Sequence, residues 1–174
     1  PMIGLRTLLF TIFVPGTVTV VFPLLLLRSD LELFRFAPDG LRIPGAGAIL
    51  AGVTLYARCA WAFTAVGRGT PAPFDPPRRL VTSGPYAWTR NPIYVAVPLI
   101  LFGEALWFGS GALLAYGVIL LLGFHLRVVY YEEPKLRRSF GAAFDEYCAA
   151  VPRWIPRRRR KGEREAASRL SEDE

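Results

Sequence analysis

The chain has little of what builds metal centres and covalent frameworks. It carries one histidine and two cysteines in 174 residues. Cys59 lies in an apolar run and Cys148 near the C-terminal end, with no CxxC pair and no His/Cys cluster. A disulfide framework and a zinc-type ligand set are thereby excluded, and no metal is expected. Nucleotide-binding signatures are scarce too. GAGAIL from Gly45 imitates part of a glycine-rich phosphate cradle, but it sits inside an apolar run with no strand before it. Charge is also thin: charged residues make up 20% of the chain and gather in a few blocks, against 52% apolar residues and a mean hydropathy of +0.32. That balance excludes an ordinary soluble domain and describes a small membrane protein. The net charge is +7, and a tail with many basic groups beside a bilayer meets anionic headgroups rather than nucleic acid.

The apolar runs set out an all-α bundle of about four membrane spans. Pro1, ahead of Met2, reads as an addition with no part in the fold. Ile3 to Leu27 is apolar apart from Arg6 and a few hydroxyls, contains Pro15 and Pro23, and is long enough for a hydrocarbon core of ~30 Å. Without a small-residue cleavage site after a short apolar region, it reads as a retained span. Residues 28–44 form a loop in which Arg28, Arg35 and Arg42 are balanced by Asp30, Glu32 and Asp39. Gly45 to Val66, the second span, is rich in the glycine and alanine that close helix packing in lipid requires. A proline-rich loop follows over residues 67–91, then a third span over 92–108, a Gly109-Ser110-Gly111 turn, and a fourth span over 112–131. Residues 1–156 make one domain; 157–174 form a charge-dense tail that cannot bury a core. The central loop has Arg68, Arg78, Arg79 and Arg90 against Asp75 alone, and the tail beyond Tyr131 has many more basic groups. The excess of positive charge puts both on the cytoplasmic face, here that of a bacterial inner membrane, and an even number of spans then places both termini there.

One stretch breaks the apolar pattern. GPYAWTRNPIY, from Gly84 to Tyr94, is polar and turn-rich between long apolar runs. Pro85 and Pro92 lack amide donors and push their predecessors out of helical geometry, and Gly84 permits a turn. The segment therefore reads as an ordered loop that delivers Pro92 to the first turn of a helix. Tyr86, Trp88, Arg90 and Asn91 are displayed between the prolines. An interfacial loop, with aromatics at headgroup depth and Arg90 on lipid phosphate, would account for each residue singly, but not for two prolines bracketing an Arg-Asn pair.

The second such stretch runs from His125 to Pro156, HLRVVYYEEPKLRRSFGAAFDEYCAAVPRWIP. On a helix His125 and Glu132 recur on one face, while Arg127 and Tyr131 form an i, i+4 pair on another. Pro134 suits the first turn of a new helix, predicted over 134–151, whose apolar positions Leu136, Phe140, Ala143 or Phe144, Tyr147 and Val151 keep helical spacing. That helix is expected to lie along the interface with Lys135, Arg137 and Arg138 available to lipid phosphates. Taken alone, Glu132-Glu133 also reads as a solvated helix end.

Together the two stretches resemble the integral-membrane methyltransferases that include isoprenylcysteine carboxyl methyltransferase and the phospholipid N-methyltransferases. The resemblance covers about residues 67–156 and rests on GPYAWTRNPIY followed by two spans and RVVYYEEPKLRRSFGAAFDEYCAAVPRWIP. Where the family commonly has Arg-His-Pro, this chain has Arg90-Asn91-Pro92; asparagine keeps the hydrogen bonding but cannot serve as an acid or base near neutral pH. The resemblance implies S-adenosylmethionine as cofactor and methyl transfer to a lipophilic acceptor, a lipid or other lipophilic small molecule. A reductase of the sterol-reductase type using NADPH, and a non-enzymatic membrane scaffold, are the alternatives.

A pocket for S-adenosylmethionine needs donors for its carboxylate, an anion for its ammonium, aromatic faces and an apolar slot. Arg90, Asn91, Arg127 and His125 are candidates for the carboxylate and hydroxyls, and Glu132 and Glu133 for the ammonium. Tyr86 and Tyr94 are candidates for the sulfonium or adenine, and Leu80, Pro85 and Pro92 for the slot. Arg90, Glu132 and Arg127 are the residues expected to carry catalysis. Two charges remain inside the spans, Arg58 and Glu104, which read either as a structural ion pair or as polar walls of an acceptor cavity; an unpaired Arg at such depth costs at least ~2.5–3.5 kcal/mol.

Overall fold

The computed structural model describes residues 13–31, 33–65 and 80–155, with the side chains of 63–65 excepted. The start of the first predicted span, Glu32, the first part of the central loop and the whole of the predicted tail lie outside them. Every regular element among the described residues is helical: α1 (Phe22–Arg28), preceded by a widened π-type turn at Thr17–Val21, then α2 (Arg42–Ala65), α3 (Pro92–Phe108), α4 (Gly111–Arg127), α5 (Glu133–Phe140) and α6 (Ala142–Ala150). Two helices are long and apolar enough to cross a membrane, Arg42–Ala62 and Gly111–Phe140; Thr17–Arg28 and Pro92–Phe108 are shorter apolar helices.

Small residues decide the central pairing. A Cβ added at Gly45 would meet the Gly103 carbonyl oxygen at 2.8 Å, and one at Gly52 would meet the Ala96 carbonyl oxygen at 2.8 Å. As α2 ascends α3 descends, so the helices are antiparallel, with backbones close enough for dispersion to hold them together where water cannot drive association. Gly45, Gly52 and Cys59 recur every seventh residue on this buried seam. Tyr56, Ala96, Val97 and Leu101 extend the core, against which Val18, Tyr116 and Phe124 pack.

At the far end from the polar loop, the chain before α2 closes over the α3–α4 turn. The Phe36 amide donates to the Gly109 carbonyl at 3.1 Å and the Gly111 amide to the Phe34 carbonyl at 2.9 Å. Gly109 has φ +65, a left-handed conformation that glycine adopts without strain. Ser110 then caps α4 by accepting from the Leu113 amide at 3.3 Å.

Prolines explain the two widened turns. In the first, the Phe22 amide reaches five residues back to the Thr17 carbonyl. The next donor in that pattern would be Pro23, which has none, so the Val18 carbonyl is left over. The Tyr116 hydroxyl of α4 donates to it at 3.1 Å. The second widened turn, Val128–Glu132, precedes Pro134 in the same way, with the Glu133 amide on the Val128 carbonyl.

That second turn corrects the expected chain path. Pro134 does not open a separate helix: the fourth span runs on as one 30-residue helix, Gly111–Phe140, because a π-type turn absorbs the clash a proline makes with the carbonyl four residues back. The break falls later, at Gly141 (φ +54), so the predicted helix over 134–151 is two helices. Its apolar side is also spent differently. Phe144, Tyr147 and Val151 are buried together with Leu80, Leu136 and Phe140 against them, so this face packs on the central loop instead of on lipid. Arg137, expected to face phosphates, pairs with Asp145 at 2.7 Å.

Of the two readings of Arg58 and Glu104, the ion pair does not form. Arg58 lies on the exposed stripe of α2 with Thr54 and Trp61, about 100° from the buried Cys59. Glu104 is half-buried, and its Oε2 has no hydrogen-bond partner among the described residues.

Candidate active site

The polar loop and the segment after α6 are stapled together by backbone acceptors. Gly84 takes φ +62 and starts a 3-10 turn, Gly84–Ala87. Thr89, nearly buried, donates its hydroxyl to the Arg153 carbonyl at 2.9 Å, and the Asn91 side-chain amide donates to the same oxygen at 3.1 Å. The Arg90 amide donates to the Pro152 carbonyl at 3.0 Å. One helical turn earlier, the Tyr147 hydroxyl donates to the Tyr86 carbonyl at 2.8 Å. Asn91 thus acts as a clasp between two loops, a role that needs a donor and not an acid or base.

The clasp brings three charged side chains together. Arg153 grips Glu133 with two parallel bonds, Nε to Oε1 at 2.7 Å and Nη2 to Oε2 at 2.8 Å, the geometry in which a guanidinium holds a carboxylate best. Arg90 approaches the same carboxylate at 3.4 Å, and both Arg90 and Glu133 side chains are only 12% exposed. Two cations therefore share one anion. Arg90 also donates to the Cys148 sulfur. Burial raises the Cys148 thiol above its ordinary range while Arg90 pulls the other way, so Cys148 is a neutral thiol here. The Arg90 Nε is buried without an acceptor among the described residues, a state that costs ~1–3 kcal/mol until something fills it.

Glu132 points elsewhere. Its Oε1 accepts from the Tyr94 hydroxyl and from Arg127 Nε at 3.2 Å, and Arg127 Nε also reaches the Tyr94 hydroxyl at 3.1 Å. Arg127 lies over the Tyr131 ring at 5.5 Å, and Tyr94 packs on Phe124 with centroids 4.7 Å apart. The two adjacent glutamates thus serve separate networks from one widened turn.

Of the sequence-predicted residues, Arg90, Asn91, Tyr94, Arg127, Glu132 and Glu133 gather at this end of α3 and α4. Pro85 and Pro92 are buried beneath it and Leu80 lies in the Phe144 cluster. Tyr86 is buried: it is 7% exposed, hydrogen-bonded with Cys59 and within electrostatic reach of Glu132 and Tyr94, and burial pushes its phenol well above the ordinary range. His125 is exposed and stands apart from both glutamates, its ring 5.8 Å from that of Trp154. Arg58 and Glu104 are not brought together. Sequence reasoning gave no role in the site to Arg153, Thr89, Cys148 or Trp154, and Tyr147 only a place on an apolar helix face. Arg153 had one signal, a lone cation inside the apolar VPRWIP run downstream of a Glu-Glu pair.

An all-helical chain with helices able to cross a bilayer, and a charged cluster clasped at one end, defines an integral membrane protein with a polar site at the end of its bundle. Residues 41–143, more than half of the chain, match the family described as Phospholipid methyltransferase. The chain belongs to that family, which is one of membrane methyltransferases. No curated protein and no solved structure matches the chain.

Proposed function

We propose that the chain spans the membrane four times, with both termini cytoplasmic, and transfers a methyl group from S-adenosylmethionine to a lipophilic acceptor such as an isoprenoid carboxylate or a phospholipid amine. The observation that carries this reading is the Arg90 cluster. Two guanidiniums share the single Glu133 carboxylate, and the Arg90 Nε is buried with no acceptor among the described residues. The unmatched positive charge lies at the start of α3, whose first-turn amides also favour an anion. The cofactor's α-carboxylate fits that donor set.

Bound there, S-adenosylmethionine supplies a methyl group already activated on a sulfonium. Arg90 holds the carboxylate and Glu132, the more exposed of the two glutamates at 26%, holds the ammonium. Glu133 has both oxygens taken by Arg153 and orients the two guanidiniums. Tyr94 and Arg127 fix the Glu132 rotamer, and the buried Pro85 and Pro92 keep water from beneath the site. No general base is required: orientation and avoided solvent reorganisation supply on the order of 7–11 kcal/mol. The two shorter apolar helices complete the four spans, Thr17–Arg28 being continued toward the N-terminus by apolar sequence from Ile3.

Titration of the detergent-purified protein with S-adenosylhomocysteine, and separately with NADPH, tests the reading. Heat of binding with the first and none with the second is expected, together with labelled methyl transfer into a membrane lipid extract. NADPH binding without S-adenosylhomocysteine binding would overturn it.

A further inference from the structure

We propose that the Trp154 indole N–H and the His125 imidazole form a subsite for a phosphate oxygen of the acceptor lipid's headgroup, so that these two residues select acceptors by what lies next to the methylated atom. The proposal rests on the methyl-transfer reading above. Three observations support it.

The first is an unmet donor. Trp154 Nε1 is buried and has no hydrogen-bond partner among the described residues, and an indole can only donate. The second is that its position is fixed. The Arg153 carbonyl, one residue earlier, accepts from both Thr89 and Asn91, and the Arg153 guanidinium is bidentate on Glu133. The backbone that carries the indole is thereby fixed next to the charged cluster, and a donor on a fixed backbone costs less further ordering when its acceptor arrives.

The third is the direction of access. His125 pairs its ring with Trp154 at 5.8 Å and is itself exposed, on a helix whose neighbouring Leu121, Leu122 and Leu126 are also exposed. An apolar, exposed helix face in a membrane protein is a lipid-facing one. His125 and Trp154 therefore stand where lipid-facing α4 meets the polar loop, the depth at which headgroup phosphates lie. His125 is the exposed member of the pair, so a headgroup arriving laterally meets it first, with the Trp154 indole beside it. Arg90 and Glu132, the proposed cofactor contacts, take no part in this pair.

Trp154→Phe keeps the ring and removes the donor; His125→Gln is the milder partner variant on an exposed surface. Each is compared with wild type by S-adenosylhomocysteine calorimetry and by kcat/KM for two amine acceptors, phosphatidylethanolamine and a long-chain alkylamine without phosphate. The expected result for Trp154→Phe is a fall of about tenfold in the ratio of phosphate-bearing to phosphate-free kcat/KM. His125→Gln should give a smaller fall in the same direction, and S-adenosylhomocysteine affinity should stay within twofold. Soluble glycerophosphoethanolamine should compete with lipid in wild type and lose most of that potency in Trp154→Phe. If Trp154→Phe fails to fold, the ratio in His125→Gln decides alone. An unchanged ratio overturns the proposal; so does a loss of S-adenosylhomocysteine affinity beyond threefold in Trp154→Phe, which assigns the N–H to the cofactor. Wild type that binds S-adenosylhomocysteine but methylates only phosphate-free acceptors sinks the subsite and spares the methyl-transfer reading. Wild type that neither binds S-adenosylhomocysteine nor methylates any acceptor sinks that reading.

Discussion

Arg90 and Arg153 compete for one carboxylate, and the loser is the group free to bind something else. Arg153 wins, with two short bonds against one long approach. Removing Arg90 as Ala should therefore cost little stability but weaken S-adenosylhomocysteine binding by ~1.5–3 kcal/mol, the worth of a charged hydrogen bond; calorimetry beside a thermal melt reads both. Arg90→Lys should not restore the affinity, because an ammonium cannot reach sulfur, carboxylate and ligand at once. The two glutamates should part company in the same pair of measurements. Glu133→Gln leaves two guanidiniums without their anion and should lower stability by about 3 kcal/mol, the lower end for a broken buried pair since Arg153 is 35% exposed. Glu132→Gln keeps its hydrogen bonds with Tyr94 and should mainly weaken the cofactor. That Arg90, Glu132 and Glu133 would gather at one end of the bundle could be read from the sequence because charge inside an apolar chain is conspicuous. Arg153 and Trp154 were much harder to read, since their importance comes from contacts to residues 20 to 64 positions earlier.

Helices raise a different question, how closely two backbones can approach. At Gly103 an added Cβ would meet the Gly45 carbonyl oxygen at 2.7 Å and the Ile49 amide nitrogen at 2.8 Å, both backbone atoms that cannot step aside. Gly103→Ala should therefore destabilise by ~1–3 kcal/mol through overpacking. Gly123, with nothing within 4 Å, should accept alanine neutrally or with a gain of up to ~1 kcal/mol. Comparing the two melts separates packing from propensity. The small-residue seam was visible as composition, and its partner was not, because a glycine-rich face does not say which helix it meets. The widened turn before Pro134 was also hidden: proline in a sequence announces a disturbance and leaves open whether the helix ends or merely swells. Pro134→Ala should let that turn tighten and swing Glu133 away from Arg153, weakening S-adenosylhomocysteine binding with helix content by circular dichroism unchanged.

For the molecule as a whole, the bilayer fixes which ends must coincide. The even-span arrangement proposed above puts Ser83 on the cytoplasmic side and Asp39 on the opposite one. Asp39→Cys should then gain labelling by an impermeant maleimide in intact cells over the wild-type background, and Ser83→Cys only after permeabilisation. The reverse pattern would reject the orientation. All-helical character was legible from the long apolar runs. The number of spans was less so, since α3, at 17 residues, falls below the ~20 a full crossing needs, and length alone does not count it.

Tyr116 and the Val18 carbonyl are 98 positions apart, which has a consequence for the order in which the protein is made. At ~5–20 residues per second, the ribosome needs about 5–20 s to add the intervening chain. In the four-span arrangement proposed above, the helix before α2 would wait through that interval in the membrane with a bare carbonyl that lipid cannot satisfy. The nascent helix is therefore a client for whatever insertion machinery can shelter a polar backbone group, and its release is timed by the arrival of one hydroxyl. Tyr116→Phe would never send that signal, and pulse-chase crosslinking should find its N-terminal helix lingering beside the insertion machinery after synthesis has ended.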